Sequence, residues 1–419
     1  MARALEAAPP VAAARAAEAA ARGQLAEAEA DLAPALSLGG SAFRYQKPTI
    51  VSPIHGFTPG LLPSFDRTVF LGDAQVRYDV WDGGARSARI AQRRAQLAAA
   101  ESAAAAAVAA VGARAVATYL TVATLDEQLA AHVERLAALD AEHRRVAQLL
   151  EVGRAADVDL LRVRAAEASA EAERVSLAAN RESAARDLQR LMGDDPQTRD
   201  LPPLAPATLQ DEEPLLRGAL LDRARAGSPE MARARRDLEA AESAVTAARA
   251  ARAPALRLEG HLLGFAGGSG DASGEWNAGF RVAVPLWDRH VAARVALAEA
   301  GRDAAAAGVR LADDAVAGAL DRAWAELAGA RARAASLAEA ESRWTEVVRI
   351  ERLRLGVGAG VEADYLRAEA DLLAARAAAV EARNRVASAR AELARATGEL
   401  SAAWVEERFT DAATEDGRR

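Results

Sequence analysis

Two hydrophobic periods alternate along this chain. Apolar residues fall three or four apart at Val122, Leu125, Leu129, Leu136, Leu139, Val146 and Leu150, and no proline interrupts Asp82 to Leu150. That spacing lays one stripe along an α-helix. Roughly 68 residues at 1.5 Å each make a strut of about 100 Å, far longer than a globular domain needs. The same series takes in His132 and His143, so part of the stripe is expected to face water or a lumen. Elsewhere the period is two. Phe70, Ala74, Val76, Tyr78 and Val80 alternate with Asp73, Gln75, Arg77 and Asp79, and Trp276, Ala278, Phe280, Val282 and Val284 alternate with Asn277, Gly279, Arg281 and Ala283. Each run predicts a strand with one apolar and one polar face. Leu36 and Leu38 after Pro34, and Leu256, Leu258 and Leu262 after Pro254, begin two more.

These elements occur twice. EVGRAADVDLLRVRA, Glu151 to Ala165, is echoed by GVGAGVEADYLRAEA, Gly356 to Ala370, with Gly153 and Gly358 lying 205 residues apart and each followed six residues later by an aspartate, Asp159 or Asp364. Trp81-Asp82 matches Trp287-Asp288, and APALSL at Ala33 matches APALRL at Ala253. From Gly153 to Gly193 and from Gly358 to Gly398 is 40 residues in both halves. Self-similarity on this scale defines the fold before any single element does. Four segments follow: a first repeat over 1–193, a Pro- and Asp-rich linker over 194–214, a second repeat over 215–398 and a tail over 399–419. Each repeat reads as helix, strand pair, very long helix (ending near Leu150 or Leu355), glycine turn and returning helix. In the first returning helix, Ala165, Ala168, Ala172 and Ala179 are expected to form the close-packing seam.

Composition narrows the partners. Of the 419 residues 51% are hydrophobic but only 4% aromatic, most of the apolar fraction being alanine, which favours helices and buries little area. With no cysteine, the chain as given has no disulfide, thiolate metal site, cysteine nucleophile or lipidated cysteine. A net charge of -7, with arginines interleaved among acids, argues against a nucleic-acid partner. No run of about 18 apolar residues is present, so no transmembrane helix is expected. The five histidines are scattered, without a His-Glu-x-x-His pair or nucleophile elbow, so no enzyme, metal site or cofactor is expected. The glycine-rich Gly356 to Gly360 invites an anion-cradle reading, but its twin at the end of an equally long helix makes it a helix-to-helix turn.

Four amphipathic strands have no matching apolar surface to cover, and an isolated sheet leaves two open edges. Strands of about 10 residues with this alternation suit a membrane barrel, closed here by several chains. The connections Tyr45 to Asp66 and Phe265 to Gly274, rich in Gly, Pro and Ser, are expected to be exposed loops.

The ordered set of tandem repeat, Pro34 and Pro254 before the strands, VWDGG and PLWDR at the strand ends, and the turns GRAADVDLL and GAGVEADYL resembles the TolC, or outer-membrane efflux protein, family of channel-tunnels over almost the whole chain. The resemblance implies a mainly α fold with a β-barrel portion: two tandem repeats of a long antiparallel α-helical hairpin plus a β-strand pair, three copies of which form a 12-stranded β-barrel and a periplasmic α-barrel. It implies a homotrimer in the outer membrane, serving as exit duct for a tripartite efflux or type I secretion system, with a periplasmic adaptor and an inner-membrane RND or ABC-type transporter as partners. Phe70, Tyr78, Trp276 and Phe280 would meet lipid. The turn residues Gly153, Arg154, Gly356, Gly358 and Gly360 would touch the adaptor. Asp364 would constrict the periplasmic entrance, with Asp159 its twin in the first repeat; Arg367, at i+3, is expected to pair with Asp364 and weaken the field of the acidic ring. The short helices would stack end to end, the one before Pro34 on the one ending near Thr397 and the one before Pro254 on the one ending near Leu191. Members are exported through a signal peptide, whereas MARALEAAPPVAAARAAEAA reads as a helix. A periplasmic coiled-coil adaptor, or another helical scaffold, is the rival; it would carry one hairpin rather than two.

Overall fold

The computed structural model describes residues 8–55, 62–195, 201, 204, 216–401 and 403–405. In chain order the elements are α1 (Pro9–Ala30), β1 (Ala35–Ile50), β2 (Phe65–Trp81), α2 (Ala85–Glu151), α3 (Asp157–Leu191), α4 (Arg217–Gly227), α5 (Pro229–Ala250), β3 (Ala255–Gly267), β4 (Ala272–Ala283), α6 (Arg289–Gly356) and α7 (Glu362–Thr397). The predicted order is present in both repeats. The helix before Pro254 is split, however, because Gly227 ends α4 and Pro229 opens α5 with Ser228 extended between them. Most of the linker 194–214 and of the tail lies outside the described residues. Contacts divide the chain into two compact units, one of residues 1–17, 101–233 and 310–419, the other of 18–100 and 234–309.

In the first unit, α2 and α7 pack through small side chains. Ala113, Val116 and Leu120 meet Ala387, Ala391 and Ala394. The expected stripe on α2 is buried at Val122, Leu139 and Val146, and it closes over His132, which is 7% exposed. His132 therefore belongs to the packed seam and not to a wet face. On α3 the buried residues are Val163, Ala170, Ala185 and Leu188, whereas Ala165, Ala168, Ala172 and Ala179 are exposed. An alanine-rich helix has no strong stripe to set its rotation, so partner contacts choose the face. One window of α2 also reaches a mean hydropathy of 1.5 with 44% of it buried, long and apolar enough by composition to cross a membrane. No such window was expected, since charged residues interrupt every apolar run; scattered alanine raises the average.

All four repeat glycines end helices in the same way. Gly153, Gly193, Gly358 and Gly398 have φ between 69° and 77°. At each, the glycine N–H donates to the carbonyl three residues back and the following N–H to the one five back, as in Gly153 to Leu150 (2.9 Å) and Arg154 to Leu149 (2.7 Å). This is the Schellman closure, which satisfies the last carbonyls of a helix and requires left-handed backbone. The shared 40-residue spacing thus measures the length of the returning helix.

Helix junctions differ from the expectation. A Cβ on Gly398 would lie 2.2 Å from the Gly227 carbonyl oxygen, so the helix before Pro254 starts against the end of α7. Val11 packs with Val111, while Leu191 packs on Ala115, one turn along α2. Short helices therefore meet within their own repeat, since the ends of each repeat's first and last helices lie beside one another.

In the second unit the strands form one antiparallel sheet of order β1-β2-β3-β4. Its strands, of 12 to 17 residues, run further into the loops than the alternation suggested, and β4 stops before Val284, ahead of Pro285. Glycine and serine positions continue the ladder because pairing uses backbone alone. Register places Leu36 opposite Val76, Ala42 opposite Phe70, Tyr78 opposite Leu258, Leu258 opposite Phe280 and Leu262 opposite Trp276. These residues share one face, and Leu36, Leu38, Leu262, Trp276, Phe280 and Val282 are 60% to 86% exposed on it. The other face carries Gln75, Arg77, Arg257, Glu259, His261, Asn277 and Arg281. Each tryptophan–aspartate motif starts a long helix. Asp82 accepts from the N–H groups of Gly84 (3.1 Å) and Arg86 (2.8 Å), and Asp288 from that of His290 (2.8 Å).

Candidate functional site at the helix turns

Both hairpin turns belong to the first unit. In the first, α2 ends at Glu151, Gly153 turns the chain, and Arg154 is exposed ahead of α3. In the second, only Gly358 has positive φ; Gly356 is the last residue of α6. Gly360 is demanded by proximity instead, since a Cβ there would sit 2.7 Å from the Leu355 nitrogen. Of the three alternate glycines, Gly358 meets a left-handed backbone and Gly360 a close approach, whereas Gly356 meets neither.

The twin aspartates behave differently. Asp159 accepts from the Ala156 N–H (3.4 Å) and pairs with Arg162 at 3.1 Å, as a helix-starting acid does. Asp364, in the first turn of α7, is exposed, and among the described residues its carboxylate makes no side-chain hydrogen bond or ion pair. Arg367 is exposed too, and the expected Asp364–Arg367 pair does not form. Of the two turn aspartates, Asp159 makes its i,i+3 pair and Asp364 does not. Between solvated side chains such a bond is worth a few tenths of a kcal/mol, too little to hold either rotamer.

Repeat spacing carries no sign of what lies beside Asp364. Glu362, at the start of α7, is 8% exposed, and the Arg145 guanidinium of α2 bonds its Oε2 at 2.5 Å while also gripping Glu142. Burial, then the hydrogen bond and charge of Glu142, push the Glu362 carboxyl up to about 8 against the pull of Arg145, and Asp159 adds to the rise. Burial opposes ionisation of Glu142 as well, but its bonds from Arg145 and Glu362 outweigh that and hold it below the ordinary range. The Glu362 carboxyl is thus held toward its protonated form beside Glu142, and one arginine is shared by two acids from different hairpins. One turn on, Arg352 of α6 lies 5.6 Å over the Tyr365 ring, donates to its hydroxyl (2.9 Å) and reaches Glu369 (3.2 Å). Tyr365 in turn donates to Glu369, and burial, then that carboxylate, push its phenol up to about 12. Glu142 and Arg145 precede the first turn by several residues and have no counterpart motif in the second repeat, which is why repeat matching passed over them.

His132 and His143 are not brought together. His143 Nδ1 bonds Glu167 of α3 at 3.1 Å, and His132 lines a cavity of about 320 Å³ with Glu173, Leu373, Arg376 and Val380. Burial lowers the pKa of His132, keeping it neutral. Among the described residues no cluster of three or more His, Cys, Asp or Glu is arranged to hold a metal.

A pair of long helical hairpins joined to a strand sheet that is apolar on one exposed face is the arrangement of an envelope duct. The chain matches the model of the outer membrane efflux protein family over residues 1–194 and 220–399, and it belongs to that family. It is accordingly an outer-membrane exit duct for efflux, which sets the adaptor reading aside. Solved structures share the fold. VceC of Vibrio cholerae is 22% identical, with 94% of each chain covered and a TM-score of 0.75. The CmeC channel of Campylobacter jejuni is 18% identical, covering 98% of this chain and 88% of its own, with a TM-score of 0.78. The open MtrE channel of Neisseria gonorrhoeae is 20% identical, covering 95% and 88%, with a TM-score of 0.76. A comparison with curated proteins finds no match.

Proposed function

We propose that three copies of the chain, each lending its four strands, close one twelve-stranded barrel whose apolar face, with Phe70, Tyr78, Trp276 and Phe280, meets lipid. The observation that carries this reading is the sheet itself. It has two outer edges, on β1 and β4, that pair with nothing among the described residues of one chain, and an exposed row of large apolar side chains. Backbone groups on an open edge cannot be left unpaired in a bilayer. The duct has no catalytic step. A periplasmic adaptor takes the turns at Gly153, Arg154, Gly356, Gly358 and Gly360, and an inner-membrane pump loads the tunnel.

Asp364 is the constricting acid of the entrance. Because Arg367 leaves it unpaired, a ring of three such aspartates keeps its full negative field. Asp159, tied to Arg162, contributes little to that ring. Single-channel recordings test both parts. The wild-type trimer in detergent-derived bilayers is expected to show a low conductance blocked by divalent cations, and Asp364→Asn to relieve the block. A chain that sediments as a monomer in detergent contradicts the barrel, and unchanged cation block in Asp364→Asn contradicts the gate.

A further inference from the structure

The polar face of the sheet is not uniformly polar, and its charges are sorted along the strands. Near the strand ends that join the helices, Asp79, Arg257 and Arg281 lie across one rung, and Arg77 and Glu259 across the next. Arg257 pairs with Asp79 at 2.6 Å and Arg281 with Glu259 at 3.0 Å. Arg77, exposed, makes no ion pair among the described residues. Three arginines thus stand against two carboxylates. The following rung is Gln75, His261 and Asn277, and the one after it bears Asp73 and Glu275. Glu275 is shared with His55 at 2.8 Å. Beyond these the same face turns apolar, with Leu71 opposite Phe265 and Phe43 opposite Val69.

We propose that the helix-joining end of this face is a basic collar that selects for anions, chloride and the carboxylate or sulfate groups of exported molecules, with Arg77 supplying its unbalanced charge. The proposal rests on the closed barrel with the polar face inward. Ion pairing, within a rung for Arg257 and Asp79 and across adjacent rungs for Arg281 and Glu259, fixes both arginines against the wall, so their charges are cancelled locally. The Arg77 guanidinium is left with its field directed into the lumen. Three copies set three such cations around one cross-section, and the acidic rung further along opposes them, so an anion meets attraction before repulsion. Low-dielectric walls on the lipid side focus this field into the water. Three unit charges about 10 Å from the axis, screened over a Debye length of about 10 Å, change the local anion concentration by about twofold.

The test is the reversal potential of the full-length protein in planar bilayers under a potassium chloride gradient, in the wild type and in an Asp364→Asn background, where the entrance acid no longer dominates selectivity. Arg77→Gln is expected to lower the chloride-to-potassium permeability ratio about twofold at 0.1 M salt, and Arg77→Lys to leave it unchanged. Should Arg77→Gln fail to insert, Arg281→Gln removes one cation from the same two rungs and is expected to act in the same direction. Channels with the same ratio in the glutamine variants, in both backgrounds, overturn the collar and leave the duct standing. A wild-type chain that forms no channels overturns the duct, and the collar with it.

Discussion

Replacing Glu362 by glutamine isolates the buried acid pair. In the folded clamp Glu362 holds its proton up to about 8, whereas a separated side chain releases it near 4.5. Its pKa is raised, so the native state binds more protons across that window, and the stability of the α2–α7 contact falls as pH rises from about 4.5 to 8. The linkage limit of roughly 1.4 kcal/mol per pH unit would give several kcal/mol. Glu142 works in the opposite sense, its depressed pKa adding stability above the ordinary value and losing it in acid, and Arg145 is 40% exposed. The expected loss between pH 6 and 9 is therefore about 1–2 kcal/mol, or roughly tenfold in local opening. Glutamine keeps the shape, and its amide donates to Glu142 as the carboxylic acid does, so Glu362→Gln should remove the pH dependence and protect the contact at pH 9. Hydrogen exchange of residues 357–370, corrected for the intrinsic pH dependence of the chemistry, reads this directly. A wild-type protein whose opening is flat between pH 6 and 9 refutes the proton held by Glu362. So does a variant that keeps the slope.

Two further outcomes test the turns and the sheet. Gly153→Ala meets empty space and only the left-handed backbone penalty, about 1 kcal/mol; Gly398→Ala also drives a methyl into the Gly227 carbonyl and should cost several times more in thermal unfolding. Leu262→Arg and His261→Arg put the same cation on adjacent residues of opposite faces; the first should lower folding stability in bilayers by about 2–4 kcal/mol and the second far less, and equal effects would refute the assignment of faces.

Much of the architecture was legible in residue order. Paired glycines 40 residues apart, prolines before strands and tryptophan–aspartate before long helices are local signals: each fixes a φ angle, removes a donor or caps a helix wherever it occurs, so the sequence states it directly. The family resemblance carried the functional assignment for the same reason, since it rested on the order of those signals. Alternation likewise marked which residues share a sheet face, because the period of a strand leaves no choice once pairing begins. It could not say where pairing ends, and the strands run several residues past their apolar alternation.

What the tertiary structure decided concerns helices without a strong stripe. Alanine makes every face of α3 acceptable, so the packed one, through Val163, Ala170 and Leu188, was fixed by its partner and not by the seam the spacing suggested. His132 is buried for the same reason. The meeting of Glu142 and Glu362 on Arg145, and the pairing of Arg257 and Arg281 but not of Arg77, depend on which side chains from distant segments come within a few ångströms. Residue spacing along one helix or strand holds no record of that distance; the fold sets it.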